Sequence, residues 1–246
     1  MAKNIGIIRF TGKLGGLSGR DTAFGNIIQT PGGFKSERLK NDPIYLKSRQ
    51  LSTEFGRCSK IAALFRQLLL PYLKFIPDPY VYNHIQKCML AVKDCDLTSP
   101  HGSKTVTNGL QTPAGATLLG NFSFNRKRHF YFTGIGDYSF DLNQGQLILG
   151  KVDTTRFDFP TSADAIGFQL MLLCADFETP TMVMEVSEHF ILRKNDLPQA
   201  VILKADKPTG KGSLIAILLI GCCSTDGMEF SWKKHDTNLL QVIGLG

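Results

Sequence analysis

The sequence predicts an α+β fold: a glycine-rich N-terminal arm and helices, followed by an antiparallel, jelly-roll-like β-sandwich. Three observations predict it. Eight glycines fall within residues 5–33, a density that rules out a helix there. Apolar residues then recur at three- and four-residue steps as far as Asp94. Beyond Asn121 the apolar period changes to two, in short runs separated by turn residues.

The first 34 residues read as an extended, glycine-rich arm. Its apolar residues Ile7, Ile8, Phe10, Leu14, Leu17, Phe24, Ile27 and Ile28 stand in small patches between glycines. Such a segment buries little surface by itself, so these eight residues are the candidate assembly contacts. Gly12-Lys-Leu-Gly-Gly-Leu-Ser-Gly19 invites comparison with a phosphate-binding loop, but it lacks the four-residue gap and the Gly-Lys-Ser/Thr ending that cradle a nucleotide. Pro208-Thr-Gly-Lys-Gly-Ser213 fails the same test.

Residues 35–100 read as a basic helical region. Ser36 opens a short turn, and Asp42-Pro43 forms a helix start, with Asp42 as N-cap and Pro43 in the first helical position. From there Ile44, Leu46, Leu51, Phe55, Cys58, Ile61, Ala62, Phe65, Leu68 and Leu69 define one apolar face. Pro71 is expected to end or kink this helix. Pro77 and Pro79 mark a break, and Tyr80–Asp94 reads as a further helix with Val81, Ile85, Met89 and Val92 on one face. Residues 101–121, rich in Thr, Ser, Gly and Pro, read as a linker.

Residues 122–246 form the predicted β domain. Its candidate strands are 122–124, 129–133, 138–142, 146–152, 155–159, 165–175, 181–192, 199–204, 213–224, 228–233 and 239–243. Turn residues at 143–145, 196–198, 207–210 and 226–227 separate several of them. The longest apolar run, Leu214 to Cys223, is about half the length of a membrane helix and reads as a buried strand. No fixed-period repeat is present.

Composition narrows the function. The net charge of +7 is uneven: residues 1–106 hold 16 basic and 7 acidic residues, net +9, whereas residues 107–246 hold 12 and 14, net −2. The N-terminus carries no secretory leader pattern, so a cytoplasmic chain without membrane insertion is expected, whether or not it is later released within a particle. The six cysteines, Cys58, Cys88, Cys95, Cys174, Cys222 and Cys223, form no Cys-x-x-Cys pair and read as reduced thiols, most of them buried, with the burial of Cys222 and Cys223 left open. No nucleophile elbow, His-Glu-x-x-His or calcium-loop pattern occurs, so neither catalytic residues, metal, cofactor nor small-molecule substrate is assigned. Glu185 and Glu188 differ by three positions and would point to opposite faces of a regular strand, which disfavours a glycosidase pair.

Basic density supplies candidate nucleic-acid contacts. Lys35, Arg38, Lys40, Lys47, Arg49, Arg57, Lys60 and Arg66 are accompanied by only three acids, Glu37, Asp42 and Glu54. Arg126, Lys127 and Arg128 form a second cluster beside aromatic residues. Such groups can neutralise phosphates in a salt-dependent way.

The segments Gly6-Ile-Ile-Arg-Phe-Thr-Gly-Lys-Leu-Gly-Gly-Leu-Ser18, Gly32-Gly-Phe-Lys-Ser-Glu-Arg-Leu-Lys-Asn-Asp-Pro43 and Arg49-Gln-Leu-Ser-Thr-Glu-Phe-Gly-Arg-Cys-Ser-Lys60 resemble the opening of a family of Bacteroidota chains of similar length. That family carries a Lys-Gly-Ile-rich start, a Gly-Gly before a basic Lys-Asn-Asp-Pro motif, and a Glu-Phe-Gly-Arg-Ala run; here Cys58 replaces the usual alanine. The resemblance implies a bacterial, non-secreted origin and brings no catalytic residues with it.

Together these readings lead to a non-enzymatic structural subunit that self-assembles through its arm into a filament, tube, shell or phage-derived particle, a homo-oligomer. The alternative is a nucleic-acid-binding protein using the basic helix at 43–70. A carbohydrate-binding or hydrolytic sandwich is the third reading, with Trp232 the one tryptophan available to it.

Overall fold

The computed structural model describes residues 2–6, 9–30, 36–127, 135, 137–226 and 229–246. The chain divides into two compact units, Met1–Arg49 and Gln50–Gly246. Helices and sheets coexist and the strand pairs are antiparallel, which makes the fold α+β.

In the N-terminal unit the glycine-rich segment is a small sheet. Strands β1 (Ala2–Lys3), β2 (Gly12–Leu14), β3 (Leu17–Thr22) and β4 (Gly25–Gln29) lie in the order β1-β4-β3-β2. Leu14 pairs with Leu17 across a two-residue turn, where Gly15 takes a φ of 55° that side chains disfavour. Helix α1 (Ser36–Asn41) follows. Asp42 then caps a 3-10 turn at Pro43–Tyr45, its carboxylate accepting from the Ile44 amide, as the Asp-Pro pair predicts.

In the second unit the core determines the order of layers. Strands β7 (Ala165–Asp176) and β11 (Ser213–Asp226) are central to a six-stranded sheet ordered β12-β11-β7-β8, where β8 is Thr181–Val186 and β12 is Glu229–Trp232. Strand β13 (Leu239–Leu245) also pairs with β11, and β9 (Phe190–Arg193) with β7. One face of this sheet packs Leu170, Leu172, Leu218 and Ile220 against β6 (Gln146–Val152) and β10 (Gln199–Lys204). Those two strands form a second, three-stranded sheet with β5 (Tyr138–Asp141). The other face packs Met171, Leu173, Ile217 and Leu219 with apolar residues of α2 (Leu46–Leu73), α3 (Val81–Asp94) and α5 (Pro113–Gly120). Because both faces of β7 and β11 are covered, alternation disappears and their sequences become continuous apolar runs.

Several sequence expectations are corrected. Residues 101–121 are not a linker: they hold α4 (Val106–Leu110) and α5, capped by the hydroxyls of Thr105 and Thr112. Their Thr and Pro content is capping chemistry, and their glycines allow close contact, since a Cβ on Gly109 would strike the Val92 carbonyl. Pro71 does not end α2, which continues to Leu73. Residues 154–156 form a 3-10 turn capped by Asp153 rather than part of a strand. The expected strand 181–192 is broken at 187–189 into β8 and β9. Residues 122–124 contribute a single bridge, Ser123 to Gln241. The expected strand 129–133 lies outside the described residues.

Candidate assembly surface and basic cavities

The N-terminal unit has an unusual interior. Among its described residues no apolar side chain is buried; the buried side chain is Asn26, at 2% exposure. Its amide donates to the Phe10 carbonyl at 3.0 Å and to Asp21 at 2.7 Å, and its oxygen accepts from Asn4 at 3.0 Å. Apolar residues lie outside this polar centre. Phe24, at the β3–β4 turn, is 83% exposed, and Leu14 and Leu17 on the outer hairpin are also exposed. Phe10, Ile27 and Ile28 are half-buried, while Ile7 and Ile8 lie outside the described residues. Strand β2 is exposed along its whole length and forms one edge of the sheet. An open edge offers unpaired backbone groups to another strand.

The basic residues do not form a single track. Arg38 pairs with Asp42 at 3.6 Å, and Arg49 donates to the Leu39 and Asp42 carbonyls, closing the end of α1. Lys40 and Lys47 are exposed. In the second unit, Arg57 and Lys60 share one face of α2, whereas Arg66 is six residues further along and lies 5.1 Å over the Tyr82 ring. Lys127 approaches Asp236 at 4.0 Å. Lys35 and Arg128 lie outside the described residues.

Folding nevertheless gathers two sets of cations that the sequence separates. The first lines a cavity of about 440 Å³ between α2, residues 104–107 and the turn after β7. Arg57, Lys60 and Lys104 contribute the cations, Glu178 one carboxylate, and Ile61, Val106, Phe177 and Pro180 an apolar wall. Two buried carboxylates order the loop that carries Lys104. Glu54 accepts from Lys93 at 2.9 Å and from the Gly102 and Lys104 amides. Asp96 accepts from Thr98, Ser99 and Thr105. Burial by itself would raise both carboxyls, but these donors outweigh it and hold both below the usual carboxylate range. Burial would likewise lower the Lys93 ammonium, and its bonds to Asp94 and Glu54 outweigh that, raising it.

The second set lines a cleft of about 640 Å³ formed by α3, α5 and the residues that follow, with His84, Lys87 and Arg126 among its lining. His84 Nδ1 lies 3.0 Å from Asp78, and its Nε2 lies 3.5 Å from the Arg126 guanidinium. Cys88, one turn from His84, is no ready nucleophile: burial pushes its thiol up to about 12. Burial similarly pushes Cys58 up to about 11 and Cys223 to about 12. All six thiols are free, and Cys95 is the half-buried one.

Sequence reasoning named Arg57, Lys60 and Arg126 but missed Lys104, Glu54, Asp96, Lys93 and His84. Glu54 carried a signal: it precedes Cys58 by four residues and Ile61 by seven, so it falls on the apolar face of α2. Ile44, Leu46, Leu51 and Phe55 share that periodicity, yet all four are exposed.

These features define an α+β protein with a polar-centred N-terminal sheet and two basic recesses. No family model matches the chain, and no curated protein or solved structure matches it either. Among the described residues no helix is long and apolar enough to cross a membrane.

Proposed function

We propose that the chain is a non-enzymatic structural subunit that self-associates through its N-terminal unit. One observation carries the reading: a four-stranded sheet without a buried apolar side chain among its described residues, which presents Leu14, Leu17 and Phe24 to solvent. Small sheets need an apolar face packed on something to persist in water. A second copy supplies that cover, with β2 as the pairing edge. Each 100 Å² of apolar surface so buried contributes about 2.5 kcal/mol.

The second unit is the wall of the assembly in this reading. A jelly-roll-like sandwich is supported by the shared core of β6 and β10 with one face of β7 and β11. A filament, tube, shell or phage-derived particle is built by repeating that contact. The scattering of Arg38, Arg49 and Arg66 among separate partners favours this over a nucleic-acid track along 43–70.

Light scattering after gel filtration, with negative-stain images of the same fractions, tests it. The full chain is expected to run as a regular oligomer or particle, and Phe24→Asp or Leu14→Asp to shift it toward monomer. A monomer at high concentration, unchanged by either substitution, would overturn the proposal.

A further inference from the structure

The cavity between α2 and residues 104–107 is independent of the assembly surface and has its own chemistry. We infer that it binds a nucleoside monophosphate, or a phosphate ester of that size and shape. Arg57, Lys60 and Lys104 come from two segments more than forty residues apart and line one recess. Like charges gathered in this way repel one another, and an anion between them relieves the repulsion. Among the described residues neither Lys60 nor Lys104 has a carboxylate within ion-pair distance, while Arg57 donates weakly to the Gly102 carbonyl at 3.4 Å. The cations are therefore not spent on internal pairing.

Four further features specify the ligand. The Thr107 hydroxyl is buried without a hydrogen-bond partner, and Thr107 lines the same cavity. Buried hydroxyls of this kind are uncommon and are usually satisfied by a bound molecule or water. Glu178 is the one carboxylate in the lining. It disfavours a bare anion but accepts hydrogen bonds from the hydroxyls of a sugar, as acidic residues do in nucleotide sites. Ile61, Val106, Phe177 and Pro180 provide an apolar wall for a planar base, and Phe177 is held in place by stacking on Phe65 at 6.2 Å. A volume of about 440 Å³ suits a small ligand rather than a polymer.

The recess is also preorganised. Glu54 holds the Gly102 and Lys104 amides, and Asp96 holds the Ser99 and Thr105 amides, so the backbone that carries Lys104 and Thr107 is fixed before any ligand arrives. Less ordering is then required on binding.

Isothermal titration calorimetry of the full chain with adenosine monophosphate, ribose 5-phosphate and inorganic phosphate tests the inference. The monophosphate is expected to bind one per chain and more tightly than inorganic phosphate. Lys60→Gln and Lys104→Gln should each weaken it about tenfold, the worth of one charge-assisted hydrogen bond. Glu178→Gln should weaken the two sugar phosphates and leave inorganic phosphate unchanged or tighter. Arg126→Gln, in the other recess, should change nothing. Lys60 is exposed and makes no bond to the loop, so its variant remains informative if Lys104→Gln loosens the fold. Absence of binding at millimolar concentration would overturn the inference. So would affinity that survives both lysine substitutions, or equal affinity for inorganic phosphate and the monophosphate. A single-stranded oligonucleotide that binds in a Lys104-dependent way where the monophosphate does not would make the recess a polymer site and also overturn it.

Discussion

The two units of this chain solve the problem of a stable interior in opposite ways. In Gln50–Gly246, β7 and β11 are covered on both faces, and Leu170, Leu172, Leu218 and Ile217 are all fully buried. Among the described residues of Met1–Arg49 the buried side chain is an asparagine that hydrogen-bonds Phe10, Asp21 and Asn4, while Leu14, Leu17 and Phe24 are exposed. A hydrogen-bonded centre sets the geometry of a sheet but adds little net stability, because the same groups bond well to water. Apolar burial supplies the stability, and among the described residues of the first unit no apolar side chain is buried. On the proposed reading the second unit is self-sufficient and a second copy completes the first.

Substitutions can break or sharpen this contrast. The largest effect is expected at Lys93→Met. It leaves Glu54, 1% exposed, as a charge without its cation, and should destabilise the second unit by about 3–5 kcal/mol. Urea unfolding measures it. Next comes the paired comparison of Leu218→Ala and Leu17→Ala in dilute protein. The first removes a fully buried side chain and should cost roughly 2–5 kcal/mol. The second removes an exposed one and should stay within about 0.5 kcal/mol until association is measured. Equal costs at the two sites would erase the distinction between the units.

The smallest effect concerns pH. Glu54 and Asp96 titrate lower in the folded chain than their ordinary values. Their stabilisation is therefore present above the unfolded carboxylate range, about pH 4, and is lost as pH falls through it toward the folded values. Thermal unfolding between pH 7 and pH 3 should show the second unit losing stability at the acid end, and Asp96→Asn should flatten that slope. A slope unchanged by Asp96→Asn would contradict the account of the loop.

Much of the second unit was legible because its signals are local. The run from Leu214 to Cys223 reads as a buried strand since no polar residue interrupts it, and β10 falls on the expected residues 199–204. Residues 101–121 were misread because threonine, proline and glycine serve both loops and helix caps, and only the packing of Gly109 against Val92 separates the two uses. The basic recess was half legible. Arg57 and Lys60 are one helical turn apart and visible in any wheel, but Lys104 reaches them only because Glu54 and Asp96, distant in sequence, fold the loop inward. Contacts of that kind depend on tertiary structure and leave no periodic trace. In the N-terminal unit the glycines read as an extended arm where the structure has a four-stranded sheet, and the polar centre at Asn26 had no signal at all.

The most direct measurement is hydrogen exchange of the full chain as a function of protein concentration. The account predicts that amides of β3 and β4 exchange fast in dilute protein and become protected as concentration rises, while those of β7 and β11 are protected throughout. Protection of β3 and β4 that equals that of β11 in dilute monomer, and does not change with concentration, would show that the N-terminal unit needs no partner and would contradict the central claim.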